Sequence, residues 1–181
     1  MNRPPTAVGA EPTDRGREAG RVRTYRWDDP LAPAAELGSR PGIEVLRAMA
    51  DGTLAGAPIA ATLGMSVDEV GPELVVFTLV PEEWHYNPIG TVHGGVHATL
   101  LDSVMGCAVH ARLGPGQAYT TLDLSVRYLR PVTTASGRLR AEGSVVSLGS
   151  RVATAEGTVT DSHGRLVATG TTTCLVMAVP G

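Results

Sequence analysis

The segment from Gly94 to Arg112 constrains the fold more than any other part of this chain. Val96, Leu100, Val104, Cys107 and Ala111 recur at spacings of three and four, and Leu101, Met105 and Ala108 form a second stripe beside them. That periodicity predicts a helix, ended by Gly114-Pro115-Gly116. A helix apolar nearly all round has no face to offer to water and must be enclosed. Its apolar run, Val96 to Val109, is interrupted by His97 and Asp102 and falls short of the roughly 20 residues needed to span a bilayer. Protein, not lipid, has to surround it.

The flanking segments supply the enclosure. Met65–Val70 and Leu74–Val80 straddle Gly71-Pro72 and read as a β-hairpin. After the helix, Leu122, Leu124, Val126 and Tyr128 alternate with Thr121, Asp123, Ser125 and Arg127, the period of a half-buried strand. Leu139, Ala141, Gly143 and Val145 continue the pattern, and strands near 151–160 and 165–177 are joined by the turn Asp161-Ser162-His163-Gly164. A hairpin, one long helix and four antiparallel strands pack most simply as an α+β fold, the sheet curved around the helix.

Ahead of this unit, residues 1–38 are rich in Pro, Gly, Arg and acids without apolar period, and disorder is expected there; the aromatics of Thr24-Tyr25-Arg26-Trp27-Asp28 are a candidate local anchor. Residues 39–57 form a helical lead-in, with Ile43, Leu46 and Met49 on one face and Asp51-Gly52 as its stop, and residues 58–178 form the domain. Every one of the 15 basic residues is arginine, but the net charge is −3, which argues against nucleic acid or an anionic membrane as partner. The N-terminus carries no apolar leader segment, so a cytoplasmic location is expected. Cys107 and Cys174 have no CxxC spacing and read as free thiols.

The chemistry concentrates between Asn87 and Asp102. Gly94 and Gly95 open the helix, where unpaired N–H groups and the positive end of the dipole suit an oxygen gaining negative charge. Asp102, two turns on, is the only acid in the helix. A carboxylate among apolar side chains is costly without a partner or a task, which marks it as a candidate general base.

The run from Asn87 through His93-Gly94-Gly95 to Asp102, followed by Thr120-Thr121 and a strand ending in Arg130-Pro131, resembles the hotdog-fold thioesterases of the PaaI-like branch over residues 58–178. The resemblance implies a hotdog fold, an antiparallel β-sheet wrapped around one long central helix. It also implies hydrolysis of acyl-CoA without metal or organic cofactor, by a homodimer or dimer of dimers with the site between subunits. Gly94 N–H then polarises the thioester carbonyl, and Asp102 activates water or attacks directly. Asn87 positions water or substrate, Thr121 holds the water, and His93 is either structural or on the substrate side. Relatives of the hydroxybenzoyl-CoA type carry a glutamate in place of the aspartate and a threonine one turn later, where this chain has Gly106. Gly95, Arg127, Arg130 and Arg151 are candidate substrate contacts, guanidinium groups being suited to phosphates.

Plainer readings stand beside these. Asp102 is otherwise a hydrogen-bonded buried acid, Thr121 an ordinary strand residue and Asn87 a turn residue. His93 and His97 are four apart, but no Glu or Cys completes a metal site. His85, His110 and His163 are expected at the surface or in turns, and Trp84 and Tyr86 line an acyl pocket or anchor a loop. A hydratase or dehydratase on acyl thioesters would pair a histidine with Asp102. A non-catalytic acyl-CoA-binding domain would need no such geometry.

Overall fold

A computed structural model describes residues 20–31, 36 and 38–178. Helix α1 covers Gly42–Ala50 and α2 Pro58–Leu63, followed by β1 Met65–Val70 and β2 Val75–Leu79. A 3-10 turn at Glu83–His85 leads to α3, Gly94–Ala111, and then to β3, Gln117–Tyr128. After a second 3-10 turn come β4 Leu139–Leu148, β5 Val152–Thr160 and β6 Leu166–Ala178. The strands form one six-stranded sheet in the order β1-β2-β4-β5-β6-β3, each neighbouring pair antiparallel. This is the curved sheet around one long helix that the residue pattern predicts. Pattern alone did not order the strands: β3 follows the helix in sequence but lands on the outer edge, beside β6.

The helix lies on the sheet because glycines let it. Gly143 pairs with Gly157 across β4 and β5, and Gly157 with Gly170 across β5 and β6, a row of bare backbone beneath α3. A Cβ on Gly143 would stand 2.6 Å from the Val104 carbonyl oxygen, and one on Gly157 2.9 Å from Met105 Cγ. Any side chain there would lift the helix off the sheet. Leu100, Leu101, Val104 and Met105 are fully enclosed, packed in one cluster with Ala141, Ala153, Ala155 and Val159. Each such leucine contributes about 1.5–3 kcal/mol by leaving water.

Helix α1 closes one end of this core with Val45 and Leu46, and stops at Asp51 and Gly52 as its sequence predicts. Gly42 abuts the last turn of α3, where its N–H donates to Leu113 O at 3.1 Å. The disorder expected for residues 1–19 falls outside the described residues. In residues 20–30 the anchor is Arg23 instead of the aromatics. Its guanidinium donates to the carbonyls of Ala61 and Thr62 at the end of α2 and lies over the rings of Tyr25 and Trp84. Tyr25 and Trp27 remain exposed.

Two features depart from the sequence pattern. The helix is not enclosed all round: Gly95 is exposed, and Ala98, Thr99, Asp102 and Ser103 are only partly buried. Strand β3 also breaks its alternation, because its register against β6 slips between Thr121 and Asp123, leaving Leu122 as a bulged residue, 58% exposed. Strict alternation would put Thr121 on the opposite face from Leu124. The extra residue returns both to the helix side, where their partners Cys174 and Thr172 are buried.

Candidate functional site

The start of α3 is built by the loop before it. Asn87 folds the loop on itself: Oδ1 accepts from Ile89 N at 3.1 Å and Thr91 N at 3.2 Å, while Nδ2 donates to Thr91 Oγ1 at 3.0 Å. His93 then caps the helix, its Nδ1 accepting from Gly95 N at 2.9 Å. Gly94 occupies the first helical position, where a backbone N–H has no intrahelical acceptor. The Tyr128 ring covers it, with the hydroxyl donating to Gly94 O at 3.1 Å. A Cβ at Gly94 would lie 3.0 Å from Tyr128 Cζ, which explains the glycine. Gly95 sits one residue further on, exposed.

These groups border a pocket of about 340 Å³, lined by Asn87, Val92, Gly94, His97, Tyr128 and Arg130 among others. His97 is 4% exposed, and its ring nitrogens make no hydrogen bond of ordinary geometry among the described residues, although the His93 carbonyl one turn back lies close enough to be felt by the ring. Burial pushes its pKa down, against the opposing pull of the His93 carbonyl one turn back, so the ring is neutral at pH 7.

Asp102 stands on the partly exposed face of α3. Thr121 Oγ1 donates to its Oδ1 at 2.9 Å, and among the described residues no histidine shares that carboxylate through a hydrogen bond. The paired acid and histidine that a hydratase would use are therefore not assembled within one chain. Burial, helped by the Asp102 charge, pushes the thiol of the neighbouring Cys107 up to about 12. Tyr119 is raised well above its ordinary value, again chiefly by burial. Tyr119 also accounts for Gly106, since a Cβ there would sit 2.6 Å from its hydroxyl. A threonine one turn after Asp102 would have to displace the Tyr119 ring.

The remaining expected residues scatter. Arg130 borders the Gly94 pocket and donates to the Leu166 carbonyl. Arg127 points the other way, into an open depression on the outer face of the sheet with Glu142 and Glu156. Arg151 is exposed at the β4–β5 turn. Trp84 packs against Arg23, and the Tyr86 hydroxyl accepts from Thr134 N at 2.8 Å, so both anchor loops. His163 lies exposed in its turn, whereas His85 and His110 are buried, contrary to expectation. His85 is used as a loop staple, Nδ1 accepting from Glu82 N and Nε2 donating to Leu63 O. His110 packs against Tyr119 at the end of the helix. Residue types alone did not single out Tyr128, and they raised His97 only as a metal partner of His93 or a hydratase histidine, not as a wall of this pocket; its readable signal is an ionisable side chain on the core-facing side of an apolar helix.

Gly94 and Asp102 are eight residues apart on one rigid helix, which at 1.5 Å per residue separates them by about 12 Å along its axis. One thioester and its attacking water cannot reach both within a single chain.

Residues 89–168 match the family described as the thioesterase superfamily. A protein of Halobacterium salinarum named as an esterase is 49% identical over 69 residues, 37% of this chain and 44% of that protein. Acyl-coenzyme A thioesterase 13 of Mus musculus is 30% identical over 102 residues, 55% of this chain and 70% of the mouse protein. The chain spans 44% and 64% of the length of two of the curated relatives it matches, and 70% of a third. Among solved structures, a phenylacetic acid degradation-related protein of Ralstonia eutropha superposes with a TM-score of 0.66 at 31% identity, covering 72% of this chain and 98% of that one.

Proposed function

We propose, since the chain belongs to the thioesterase superfamily in its PaaI-like hotdog branch, that it hydrolyses acyl-CoA thioesters at a site shared by two copies of the chain. The observation that carries this reading is the pair of half-sites on α3: a donor-rich helix start at Gly94, and a carboxylate about 12 Å away held by Thr121. Antiparallel pairing of two copies brings one chain's Gly94 to the other's Asp102.

The surface favours such pairing. Strand β3 is a 12-residue edge strand, and long open edges invite a further strand. Leu122, Tyr128 and Leu129 along that strand's side are exposed apolar groups, and the small residues of α3 around Asp102 leave room for a second helix. A two-fold axis through these elements makes two identical composite sites.

In this scheme the carbonyl oxygen of the thioester accepts from Gly94 N–H. Asp102, fixed through one oxygen by Thr121, uses the other to take a proton from water. The hydroxide adds to the carbonyl carbon, and the tetrahedral oxyanion is stabilised at the helix start. Its collapse breaks the C–S bond, and the CoA thiolate leaves and takes up the proton. The chemistry draws on no metal or organic cofactor. Asn87 and His93 shape the helix start, while Arg130 and Arg151 remain the guanidinium groups available to CoA phosphates.

The test is a free-thiol assay over a panel of acyl-CoAs on wild type and Asp102→Asn. Turnover in wild type with a 10²–10⁴-fold lower rate in the variant, both folded, is the order expected for a lost general base. Equal turnover in the two would overturn the role of Asp102. No turnover of any acyl-CoA that binds would favour a binding domain.

A further inference from the structure

The loop that leads into α3 is held from behind by a strap of chain for which the mechanism above has no use. Residues 20–25 pass over the end of α2, where the last carbonyls of the helix have no intrahelical donor. Arg23 donates to two of them, Ala61 O at 3.0 Å and Thr62 O, and His85 Nε2 donates to the third, Leu63 O, at 2.8 Å. The Arg23 guanidinium is also stacked, with Cζ 4.7 Å from the centroid of the Trp84 ring and 4.9 Å from that of Tyr25. A guanidinium suits both tasks at once, because its N–H fork lies in its plane and its faces stay free for aromatic rings. Trp84 and His85 belong to one 3-10 turn, so a single arginine ties the strap, the end of α2 and this turn together.

From the turn the constraint continues to the helix start. His85 O accepts from His93 N at 2.7 Å, and His93 caps α3 immediately before Gly94. Tyr86 and Val92 pair alongside as an antiparallel bridge. The far support of this loop needs a neutral His85 imidazole, whose Nδ1 accepts from Glu82 N at 3.0 Å while Nε2 donates. Burial holds the His85 pKa below its ordinary value; the Leu63 carbonyl pulls it up, the Arg23 charge pushes it down again, and Glu82 opposes. The other charges at this turn, Arg21 and Glu83, are paired with each other.

We infer that Arg23 is a positioning residue for the helix start: by clasping the end of α2 to Trp84, it fixes the loop from Glu82 to His93 and, through His93, the aim of the Gly94 N–H. The inference rests on the thioesterase reading above, which assigns that N–H to the thioester carbonyl. A donor stabilises an oxyanion only where it is already aimed at it, and a misplacement of about 1 Å from a change far from the chemistry can cost on the order of 10²-fold in rate. Without Arg23, Trp84 loses its stacking partner and His85 the nearby cation that disfavours its protonation. A protonated His85 can no longer accept from Glu82 N, and the turn supporting His93 loosens. The consequence falls on the rate of the chemical step, since Arg23 lies behind the loop and meets no substrate.

The experiment measures kcat and KM on the full chain, with the best substrate from the acyl-CoA panel, for wild type, Arg23→Gln, Arg23→Lys and Arg21→Gln. Thermal unfolding is followed beside it, and the His85 ring is titrated by NMR. The expected result for Arg23→Gln is a kcat lower by about tenfold with KM within about twofold of wild type. Arg23→Lys, which keeps the charge but not the fork, should recover part of that rate. Arg21→Gln, which removes only an exposed ion pair, should behave as wild type. In Arg23→Gln the His85 pKa should rise, so that kcat falls away at a higher pH on acidification than in wild type. Trp84→Leu removes the same contact from the loop side and should show the same fall in kcat, so a poorly folded Arg23→Gln does not remove the test. Wild-type kcat in folded Arg23→Gln or Trp84→Leu, even with a lowered Tm, makes the clasp merely structural; it overturns the inference and leaves the thioesterase reading standing. A raised KM at unchanged kcat, or a His85 that titrates as in wild type, overturns it equally. Failure of the wild type to hydrolyse any acyl-CoA overturns the thioesterase reading, and this inference with it.

Discussion

Thr121 Oγ1 donates a 2.9 Å hydrogen bond to Asp102 Oδ1, tying the edge strand β3 to the middle of the central helix. Hydrogen bonds to charged groups are worth about 1.5–3 kcal/mol, or roughly 10–100-fold in a rate when they are felt at the transition state. Thr121→Val should therefore lower kcat by about that factor with little change in KM, because the carboxylate loses its orientation and not its charge. Thr121→Ser should restore most of the rate, the hydroxyl being kept. Steady-state kinetics of the two variants check this; a Val variant with wild-type kcat would remove Thr121 from the mechanism.

The contact depends on the bulge at Leu122, and here the limits of the sequence are plain. Alternation over β3 is visible in the residues, but it places Thr121 on the face away from Leu124. The slip of one residue against β6 reverses that, and a bulge carries no residue signature here: Leu122 is a β-strand-compatible side chain like its neighbours. The long helix, its solitary acid and the two hairpins were legible because each is a local pattern. The position of β3 beside β6, the capping role of His93 and the burial of His85 and His110 were not, since each depends on which distant element arrives next to them.

The row of glycines beneath α3 gives a stability prediction. In Gly143→Ala the new methyl would stand 2.6 Å from a helix carbonyl oxygen that cannot retreat without moving the helix. Overpacking of this kind costs about 1–3 kcal/mol or more. Thermal unfolding should show a clear fall in Tm for Gly143→Ala, while alanine at the exposed loop residue Gly56, which has open space around it, should change little.

Buried histidines predict how stability follows pH. Burial holds the pKa of His97 and of His110 below that of the unfolded chain, which titrates near 6.5. Below that pH the unfolded state binds protons that the native state refuses, so stability is fully present above about pH 6.5 and falls as the pH drops toward the native values. Denaturant unfolding between pH 8 and pH 5 should show that decline. His110→Phe, which keeps a ring against Tyr119, should flatten it.

An edge strand that pairs with its copy should be sensitive to charge. Leu122→Glu places like charges at the β3 edge of both chains without touching the core. Sedimentation should show a shift toward monomer, and activity should fall in parallel with the dimer fraction if each site needs two chains. Full activity in a monomeric variant would contradict shared sites.

The most direct test of the shared site is complementation between two inactive variants. Gly94→Pro removes the N–H at a first helical position that accepts proline, and His93 at φ −61° and ψ 138° already has the backbone proline requires before it; the Tyr128 ring, 3.0 Å from a Cβ there, has to shift to admit it, so the fold of the variant is checked alongside. Asp102→Asn removes only the base. Each variant alone should be nearly inactive. Unfolded together and refolded as a mixture, half the dimers would be mixed and each would carry one intact site, so activity should recover to about a quarter of wild type. Recovery at that level establishes that Gly94 of one chain serves Asp102 of the other; a mixture as inactive as its components contradicts it.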